Sequence, residues 1–453
     1  MGYDSYFDSE VSWIGSVPST WKMILNKYLF QKRQIKVGDR FPEYQLLSLT
    51  TTGVKEKDIN DSKGKTPASF EGYQEVRPGD MIFCLFDLDV SAVFSGLSSY
   101  SGMITSAYDV TECNTDYILG RYADYWFKKV FSNRHYKIYS KNVRYTLSFD
   151  AFGGLKCPVP PIDEQEQIVK YLDWQVSKIN VLIVAKKKAI ALIKERQRLY
   201  TSGAVLSGIN ANASKKDSGI EWIGSIPSHW ELWRSKYLFS ERDERSLEGK
   251  EQHLSMSQKY GLVPDTQLDE RRMLSASYQG GKICYENDLV LNRLKAHLGV
   301  FAISPQMGVI SPDYTVLIPN TKKILPAYAE AVLKSDKCRR ELRIRVRGII
   351  EGFWRLYTDD FNTIVIPLPP LEEQQEIMEN IRKYSVKTQE YVELLNEEIR
   401  VLQELRTKLI SDVVTGKIDV RGIEIPEYEF VEEIVDDDNE DCEEETEEQE
   451  AEE

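Results

Sequence analysis

Two long stretches of the chain carry apolar residues at alternating steps of three and four positions. The first stripe consists of Ile168, Leu172, Ile179, Leu182, Ala189 and Ile193, and it is interrupted by Gln175 and Lys186. The second consists of Ile377, Ile381, Tyr384, Tyr391, Leu395, Ile399, Leu402 and Leu409. This spacing predicts two amphipathic helices with the apolar seam of a coiled coil. Because neither helix buries its seam alone, we expect the two helices to pair.

Each predicted helix begins with prolines followed by acidic residues. The first opening has the sequence PVPPIDEQEQI and the second PLPPLEEQQEI. Proline is tolerated in the first helical turn, where backbone N–H groups lack helical partners, and carboxylates there interact favourably with the helix dipole. Each periodic stretch ends at a glycine, Gly208 or Gly416. We therefore predict long helices over 158–208 and 367–416.

The two halves of the chain repeat one another beyond these helices. The sequence WIGSVPSTW from Trp13 returns as WIGSIPSHW from Trp222, and KYLF from Lys27 returns from Lys236. Both recurrences lie 209 residues apart, as do the two helix openings. A constant shift over about 150 residues indicates the duplication of one globular domain followed by one long helix. The tryptophans of the repeated motif are predicted to belong to the core of each domain.

The globular part of each repeat contains short apolar runs that follow turn residues. Residues 81–86 follow Gly79-Asp80, and residues 288–291 follow Asn287. Such runs predict strands, and we expect two tandem domains of mixed α/β (α+β) fold. The segments that differ between the two halves are predicted to be loops, where binding specificity usually resides.

These patterns divide the chain into five segments. A first globular domain is predicted over 1–157 and a first long helix over 158–208. A linker and a second globular domain follow over 209–366, and the second long helix covers 367–416. Residues 417–453 are predicted to be an acidic, disordered tail.

The formal net charge of −14 is concentrated in the tail. From Glu427 to the end there are 17 acidic and no basic residues, so the rest of the chain has 58 basic against 55 acidic residues. The body is therefore mildly basic, and the tail is a polyanion. Two interpretations of the tail are open: a solubility tail without a partner, or a competitor for the protein's own basic surface.

Other features of composition limit the class of protein. The chain has no run of about eighteen apolar residues, and the N-terminal MGYDSYFDSE lacks the basic and apolar regions of a signal peptide. The six cysteines show no CxxC spacing, so free thiols are expected rather than disulfides or metal ligands. We expect a soluble, cytoplasmic protein.

Taken together, the ordered motifs resemble the specificity (S) subunit of bacterial type I restriction-modification systems. The resemblance rests on two W-I-G-x-x-P-x-x-W motifs, two P-x-P-P-[ILV]-x-E-Q helix openings and a V-[VL]-[ST]-G ending after each helix. It covers residues 8 to about 420. In that family each globular part is a target recognition domain that recognises one half of a bipartite DNA site.

The resemblance also implies partners and cofactors. The two long helices would form an antiparallel coiled coil that spaces the recognition domains and docks two methyltransferase (modification) subunits. Up to two restriction/translocase subunits would join the complex. The expected ligand is double-stranded DNA with an asymmetric site, because the two domains differ in their loops. This chain would bind no cofactor, whereas the partner subunits would use S-adenosylmethionine, ATP and Mg.

Candidate DNA-binding residues are clustered cations and amides, because Arg and Lys contact phosphates whereas Arg, Asn and Gln hydrogen-bond to base edges. In the second domain they are Arg339, Arg340, Arg343, Arg345, Arg347 and Arg355, together with Asn292, Arg293, Lys295 and His297. In the first domain they are Lys128, Lys129, Arg134, His135, Lys137, Lys141 and Arg144. The two sets differ in sequence, so we expect the two domains to recognise different bases.

The sequence offers no catalytic template. The four histidines form no HExxH motif, and no GxxxxGK phosphate loop exists. We expect a non-catalytic subunit of a complex that is a site-specific deoxyribonuclease and adenine methyltransferase. The alternatives are a specificity subunit of a modification-only complex, a coiled-coil adaptor that does not bind DNA, and a nuclease in its own right with Asp265 and Asp269 as weak carboxylate candidates.

Overall fold

The two stretches with coiled-coil spacing are long helices in the computed structural model, Ile162–Ser207 and Leu371–Val414. Gly208 and Gly416 follow them with φ of +75° and +74°, in the left-handed region where glycine has no steric penalty. Both glycines also pack closely on the globular parts, since a Cβ on Gly416 would lie 2.3 Å from Cδ of Pro18. The glycine at each helix end therefore serves both the turn and the packing.

The chain is built from two units that each contain one globular part and a portion of both long helices. Unit 1 is Met1–Lys188 with Leu395–Glu453, and unit 2 is Ala189–Leu394. The structure describes residues 2–59, 69–140, 145–257, 260–267, 278–348 and 354–432.

Unit 1 contains a four-stranded antiparallel sheet in the order Phe30–Lys32, Asp109–Cys113, Met81–Phe83 and Ser95–Leu97. The strand Met81–Phe83 is fully buried, as its uninterrupted apolar sequence predicts. Two-stranded antiparallel pairs join Tyr6–Asp8 to Ser16–Pro18, Lys22–Leu25 to Lys156–Val159, Leu47–Thr50 to Gly53–Glu56, and Gln74–Val76 to Gly102–Ile104. The short helices are Asn26–Leu29, Gly120–Ser132 and Phe149–Gly153, with 3-10 turns at Gly38–Glu43 and His135–Tyr139.

Unit 2 repeats this topology. Its four-stranded antiparallel sheet has the order Phe239–Arg242, Tyr314–Pro319, Leu289–Asn292 and Phe301–Ile303. The pairs join Lys215–Asp217 to Ser225–Pro227, Glu231–Arg234 to Val365–Leu368, Leu254–Ser257 to Gly261–Pro264, and Lys282–Cys284 to Gly308–Ile310. The short helices are Pro326–Lys334, Asp336–Arg343 and Thr358–Asn362, with 3-10 turns at Ser235–Tyr237, Asp265–Gln267 and Ala296–Leu298. The two halves that repeat in sequence therefore also share the order and the pairing of their strands.

Each unit has its own aromatic core. In unit 1 the largest fully buried side chains include Trp126, Phe127 and Phe152, and in unit 2 they include Trp230 and Phe361. Burying one such side chain contributes about 1.5–3 kcal/mol. Each core joins residues of the sheet and the short helices to residues near the ends of the long helices, such as Leu172 in unit 1 and Ile377 in unit 2.

A glutamine in the first turn of each long helix joins that helix to its globular part. Gln165 is fully buried, accepts a hydrogen bond from Leu119 N at 2.8 Å, and donates to the carbonyl oxygens of Tyr117 and Pro160 at 2.8 Å. The equivalent Gln374 bonds in the same way to Leu325 N, Lys323 O and Pro369 O. In each helix opening, the glutamine of the repeated E-Q pair therefore attaches the long helix to the globular part.

The buried stripe of each long helix departs from the prediction by one position. Leu182 is 50% exposed, whereas Ile183 is buried in its place. In the second helix Tyr391 is 65% exposed and Val392 is buried. A helix has 3.6 residues per turn, so a stripe drawn in steps of three and four drifts around the helix surface. The prediction that Leu182 and Tyr391 lie on the buried stripe is wrong by one residue.

The long helices contact each other within each unit. In unit 1 the contacts include an ion pair of Lys186 with Glu398 at 2.5 Å and a hydrogen bond from Arg406 to Asn180 at 3.0 Å. In unit 2 the ring of Tyr200 stacks on that of Tyr384, with centroids 4.3 Å apart. In unit 1, rising residue numbers in one helix face falling numbers in the other, so the contacting portions are antiparallel there.

Residues 417–432, which composition predicts to be disordered, lie on the first long helix. Gln167 Nε2 donates to the carbonyl oxygens of Val420 and Ile423 at 3.1 and 2.7 Å. Val420 is fully buried. The disorder prediction is wrong for this segment because side chains of the helix satisfy its backbone groups and its apolar residues reach the core. Residues 433–453 lie outside the described residues.

Five cysteines are free thiols, and all five are buried: Cys84, Cys113, Cys157, Cys284 and Cys338. Burial raises the pKa of the Cys113 thiol to about 12. Such thiols act as small apolar core residues and have little thiolate character. Cys442 lies outside the described residues.

Candidate nucleic-acid interface

The two predicted DNA-binding stretches of unit 2 meet in space. Arg293, just after the strand Leu289–Asn292, accepts a hydrogen bond on its carbonyl oxygen from Leu356 N at 3.0 Å. Its Nε donates to the carbonyl oxygen of Asp313 at 2.6 Å, and the carboxylate of Asp313 lies 3.8 Å from Nη2 of Arg355. Loops that are far apart in sequence therefore place two predicted arginines on either side of one aspartate.

The loop around Asn292 has a defined local geometry. Asn292 is buried, and its Oδ1 accepts hydrogen bonds from the backbone N–H groups of Leu294 and Lys295 at 3.1 and 3.3 Å. This Asx turn stops the strand and directs the chain into the 3-10 turn Ala296–Leu298. Asn292 thus shapes the loop. His297 lies in that turn, and its side chain is outside what the structure describes.

The arginine-rich stretch begins on the helix Asp336–Arg343. Ser335 caps this helix by accepting a hydrogen bond from Cys338 N, and Cys338 and Leu342 bury one face of it. Arg340 and Arg343 are exposed, and neither has an ion pair among the described residues. Arg339 is half-buried and packs against Gly299, where a Cβ would lie 2.9 Å from its Cδ.

The other arginines of this stretch are held by ion pairs. Arg345 bonds to Glu341 at 2.5 Å and to Thr363 Oγ1 at 2.7 Å. Arg347 pairs with Asp360 through its side chain, and it exchanges two backbone hydrogen bonds of 2.9 Å with Arg355. The stretch therefore contains two kinds of cation: exposed guanidinium groups suited to phosphate contact, and paired groups with fixed orientation.

Unit 1 has an equivalent meeting of loops with different side chains. Leu147 N donates to Leu85 O at 2.7 Å, which corresponds to the bond between Leu356 and Arg293 in unit 2. Arg134, in the left-handed region with φ of +51°, donates to Ser91 O at 2.7 Å. This arginine therefore braces the loop that follows the central strand.

His135 and Lys137 lie against aromatic rings. His135 stacks on Trp13 with centroids 4.2 Å apart, and its Nε2 is buried without a hydrogen-bond partner among the described residues. Burial, together with the nearby charge of Lys129, lowers the pKa of His135 from its usual 6.5 to about 4. Lys137 Nζ lies 4.2 Å from the centroid of the Tyr145 ring. His135 is therefore a neutral, packed side chain at neutral pH.

The remaining candidates of unit 1 lie apart from this loop or outside the description. Lys128 and Lys129 are on the helix Gly120–Ser132, and Lys128 pairs with Asp124 at 3.0 Å. Lys129 lines a cavity between this helix and the long helices. Lys141 and Arg144 fall outside the described residues, so the structure does not place them.

Sequence reasoning missed the carboxylates that orient the cations. Asp313 and Asp360 each bind predicted arginines, yet no charge cluster marks them in the sequence. A second missed feature is the ion pair of Arg33 with Asp80, which recurs as Arg242 with Asp288 at 2.8 Å. The two arginines, like the two aspartates, lie about 209 residues apart in the sequence, so a comparison of the two repeats could have revealed that pair.

The nuclease alternative finds no support in the geometry around Asp265. Its carboxylate accepts hydrogen bonds from Ser255 at 2.5 Å and from Tyr278 at 3.3 Å, and it contacts His253. Asp269 lies outside the described residues. Across the described part of the chain, no group of three His, Cys, Asp or Glu side chains is arranged to hold a metal ion. No helix in that same part is long and apolar enough to cross a membrane.

Comparison with known proteins identifies the kind of domain that carries these loops. Residues 244–400 match the family described as "Type I restriction modification DNA specificity domain". A Methanocaldococcus jannaschii protein, provisionally named type I restriction enzyme MjaX specificity subunit, is 26% identical over 278 residues. Residues 244–400 therefore resemble a type I restriction-modification DNA specificity domain. The match to that relative covers 59% of this chain and 60% of the relative.

Two further members of the comparison extend this result. The type I restriction enzyme MjaVIII specificity subunit of the same organism is 22% identical over 287 residues, which is 60% of this chain and 64% of that protein. The chain therefore matches less than two thirds of the length of either specificity subunit. A solved structure from work on complex assembly and conformational transition of the type I R-M system has a TM-score of 0.56 at 14% identity, and the match covers 89% of this chain and 99% of that one. This likeness shows that the chain has a mixed α/β fold with a long helix.

Proposed function

We propose that the chain is the DNA sequence-recognition subunit of a type I restriction-modification complex, and that it recognises an asymmetric bipartite site with one half-site per recognition domain. The observation that carries the proposal is the specificity-domain match over residues 244–400, which includes the loops that bring Arg293 and Arg355 to Asp313. The same strand order recurs in unit 1, which supports a second recognition domain.

The different side chains on equivalent loops support unlike half-sites. The backbone bond between the two loops is kept in both units, but Arg293 of unit 2 stands where unit 1 has Leu85. A guanidinium forms bidentate hydrogen bonds with guanine, whereas a leucine offers only apolar contact. A common scaffold with different loop chemistry fits a site whose two halves differ in sequence.

The long helices are proposed to pair as an antiparallel coiled coil that acts as a spacer and docks methyltransferase and restriction subunits. The contacts within each unit, such as Lys186 with Glu398 and Tyr200 with Tyr384, support the pairing. Large apolar side chains on the outer faces support docking, since Leu192 and Leu199 are 60% and 57% exposed. Two methyltransferase subunits and up to two restriction subunits are the proposed partners.

The chemistry of the complex is assigned to the partner subunits. These subunits are proposed to bind S-adenosylmethionine, ATP and Mg, and this chain is proposed to bind double-stranded DNA in the cytoplasm without catalysing a reaction. The candidate side chains of this chain are mostly arginines and lysines, which suit contacts with phosphates rather than nucleophilic or acid–base chemistry.

Mapping of DNA methylation tests the proposal. The chain is co-expressed with the methyltransferase encoded beside it, and methylated adenines in the host genome are mapped by long-read sequencing. The expected result is one split motif of two unlike halves around a fixed gap. Replacing residues 222–365 with those of a relative is expected to change one half only, and the matched replacement of 13–156 the other half.

Other outcomes distinguish the alternatives. Methylation without cleavage of unmethylated DNA, even with every neighbouring subunit present, indicates a modification-only complex. A stable complex that neither methylates DNA nor binds it more tightly at low than at high salt supports the adaptor that does not bind DNA. Either swap changing both halves at once contradicts the assignment of one half-site to each domain.

A further inference from the structure

Two arginines of unit 2 approach the same carboxylate oxygen. Arg293 Nη2 lies 3.4 Å from Oδ1 of Asp313, and Arg355 Nη2 lies 3.8 Å from that same atom. The Nε of Arg293 also donates to the carbonyl oxygen of Asp313 at 2.6 Å. We call Arg293, Asp313 and Arg355 the Asp313 junction. The three residues lie on three different loops, so the junction exists only in the folded chain.

Backbone hydrogen bonds hold the two arginine loops in place. Arg293 O accepts a hydrogen bond from Leu356 N at 3.0 Å, and Arg355 exchanges two backbone hydrogen bonds of 2.9 Å with Arg347. The side chains of the junction therefore extend from loops of fixed geometry. Recognition of a base requires such fixed positions, because hydrogen bonds weaken steeply when their geometry is poor.

The turn that carries Asp313 recurs in unit 1 with a different side chain. Asp313 N donates to Ser311 Oγ at 3.3 Å, and Ala107 N in unit 1 donates to Thr105 Oγ1 at the same distance. Each turn leads into a strand of the four-stranded sheet of its unit. Both units therefore share the backbone of this loop, but unit 2 has a carboxylate where unit 1 has a methyl group.

The two arginine loops also have uncharged equivalents in unit 1. Leu147 N donates to Leu85 O at 2.7 Å, so Leu85 and Thr146 stand where unit 2 has its two arginines. Leu85, Thr146 and Ala107 are uncharged, yet the same loops meet in unit 1. The charges of the Asp313 junction are therefore not needed to bring the loops together, which points to a role in binding.

The three side chains of the junction differ in exposure. Asp313 and Arg355 are 52% and 43% exposed, whereas Arg293 is 25% exposed and makes the shorter contacts with Asp313. The 3.8 Å contact of Arg355 is longer than a hydrogen bond, so Asp313 attracts this guanidinium without engaging its Nη2 donor. Arg355 and Asp313 therefore present donors next to an acceptor, and Arg293 holds the acceptor.

A guanidinium next to a carboxylate is complementary to one base pair in the major groove. Guanine presents the acceptors O6 and N7, which a guanidinium binds in bidentate fashion, and cytosine presents the N4 amino group, which donates to a carboxylate. Adenine presents the donor N6 instead of the acceptor O6. An A·T pair would therefore place a donor against the donors of Arg355.

We propose that Arg355 and Asp313 recognise a guanine·cytosine pair and that Arg293 is a positioning residue for Asp313, which rests on the proposed role of unit 2 as a recognition domain. Arg355 donates to O6 and N7 of the guanine, and Asp313 accepts from N4 of the paired cytosine. Because the equivalent side chains of unit 1 are uncharged, the half-site of unit 1 is not recognised through this pair of contacts.

Competition between duplexes tests the proposal. The complex of the chain with the methyltransferase encoded beside it is purified, and the half-site of unit 2 is the half that changes when residues 222–365 are replaced. Each G·C pair of that half is exchanged in turn for A·T, and each A·T for G·C. Each exchange is expected to weaken binding of the wild type about tenfold. At one G·C pair, this penalty should disappear in Arg355→Gln and fall about threefold or more in Asp313→Ala, while the other positions keep theirs.

Further variants separate recognition from loop structure. Arg245→Gln changes an arginine of unit 2 that is similarly exposed and also paired with an aspartate, Asp243 at 3.2 Å, and it should leave every penalty unchanged. Arg293→Lys keeps a positive charge beside Asp313 and should retain more of the G·C penalty than Arg293→Met. Equal penalties in the two Arg293 variants would overturn the positioning role.

The outcomes distinguish this proposal from the proposed function of the chain. A wild-type complex without sequence preference overturns both. A sequence preference without a G·C pair in the half-site of unit 2, or with the full G·C penalties in either Arg355→Gln or Asp313→Ala, overturns the role of the junction alone. Equal loss of discrimination at every position in these variants also overturns it, because the junction would then only support the loops.

Discussion

Trp21 and Glu164 are joined by a hydrogen bond, in which the indole Nε1 donates to the carboxylate Oε1 at 2.8 Å. Trp230 and Glu373 repeat this bond at 3.0 Å in unit 2. In each unit the last residue of the W-I-G-x-x-P-x-x-W motif is therefore attached to the E-Q pair of the helix opening. The two motifs recur at one shift because they form the two sides of one joint between globular part and helix.

Removing the acceptor of this joint should destabilise unit 1. Glu164 is buried and also accepts the hydrogen bond of the Tyr3 hydroxyl at 2.5 Å. Glu164→Ala leaves a buried indole N–H and a buried phenol without their partner, so we expect a loss of about 2–4 kcal/mol in the free energy of unfolding. Urea denaturation followed by tryptophan fluorescence measures it. Glu166→Ala, with a side chain that is 56% exposed, is the control and should change stability by less than about 0.5 kcal/mol.

The stability of unit 1 should depend on pH through His135. Its pKa is about 4 in the folded chain against 6.5 ordinarily, so the unfolded chain binds the extra proton between these values. Stability is therefore expected to fall as the pH falls from 6.5 to 4, with no further contribution from this group above 6.5. His135→Phe keeps a ring stacked on Trp13 and should remove that part of the pH dependence.

The measurement for His135 is a series of urea denaturation curves from pH 4 to pH 8. The wild type and His135→Phe should differ by a constant amount above pH 6.5 and progressively below it, with the wild type losing more. Parallel curves over the whole range would show that the imidazole keeps its ordinary pKa in the folded chain.

The exposed arginines of unit 2 should contribute to DNA affinity without sequence preference. Arg340 and Arg343 are exposed on one helix, whereas Arg347 is paired with Asp360. The double variant Arg340→Gln/Arg343→Gln is expected to weaken binding to all duplexes alike and to reduce the slope of log affinity against log salt by about 2, which is about 1 per phosphate contact. Fluorescence anisotropy at several salt concentrations provides the slope.

The control for the arginines is the double variant Arg382→Gln/Lys383→Gln on the second long helix, with side chains that are 76% and 66% exposed. It matches the charge change in a part of unit 2 outside the candidate loops. A slope that is unchanged in the double variant, or lowered equally in the control, would remove Arg340 and Arg343 from the phosphate-binding surface.

Periodicity and repetition were enough to predict the long helices, the duplicated fold and the strands around Ile82 and Val290, because each is determined by local pattern. The arrangement of the candidate site was not accessible in this way. Asp313 meets Arg293 and Arg355 only after three loops come together, and no local spacing encodes that meeting. The arginine cluster could be identified from the sequence, but its division into exposed and paired members depends on tertiary contacts.

The same limit explains why the disorder prediction is wrong for residues 417–432. Charge composition predicts disorder from 417 onward, and it contains no information about Gln167 and Ser177 on a helix some 250 residues earlier. Those side chains supply the hydrogen bonds that hold Val420 and Val431 in place. The composition of a segment indicates how well water solvates it. These hydrogen bonds depend instead on which side chains lie next to the segment in the folded chain.

The one-residue error in the buried stripe leads to a direct test on adjacent positions of the first long helix. Ile183 is 6% exposed and Leu182 is 50% exposed, so the two differ in burial while both are large aliphatic side chains. Ile183→Ala should lower the free energy of unfolding by about 2–4 kcal/mol, because it removes buried methyl groups and leaves a cavity. Leu182→Ala is the matched control and should cost less than about 1 kcal/mol. Both are measured by urea denaturation of the chain without its partners, since exposed apolar side chains of the long helices are proposed to dock them. Equal losses at the two positions would mean that the stripe continues through Leu182 as its spacing alone predicts.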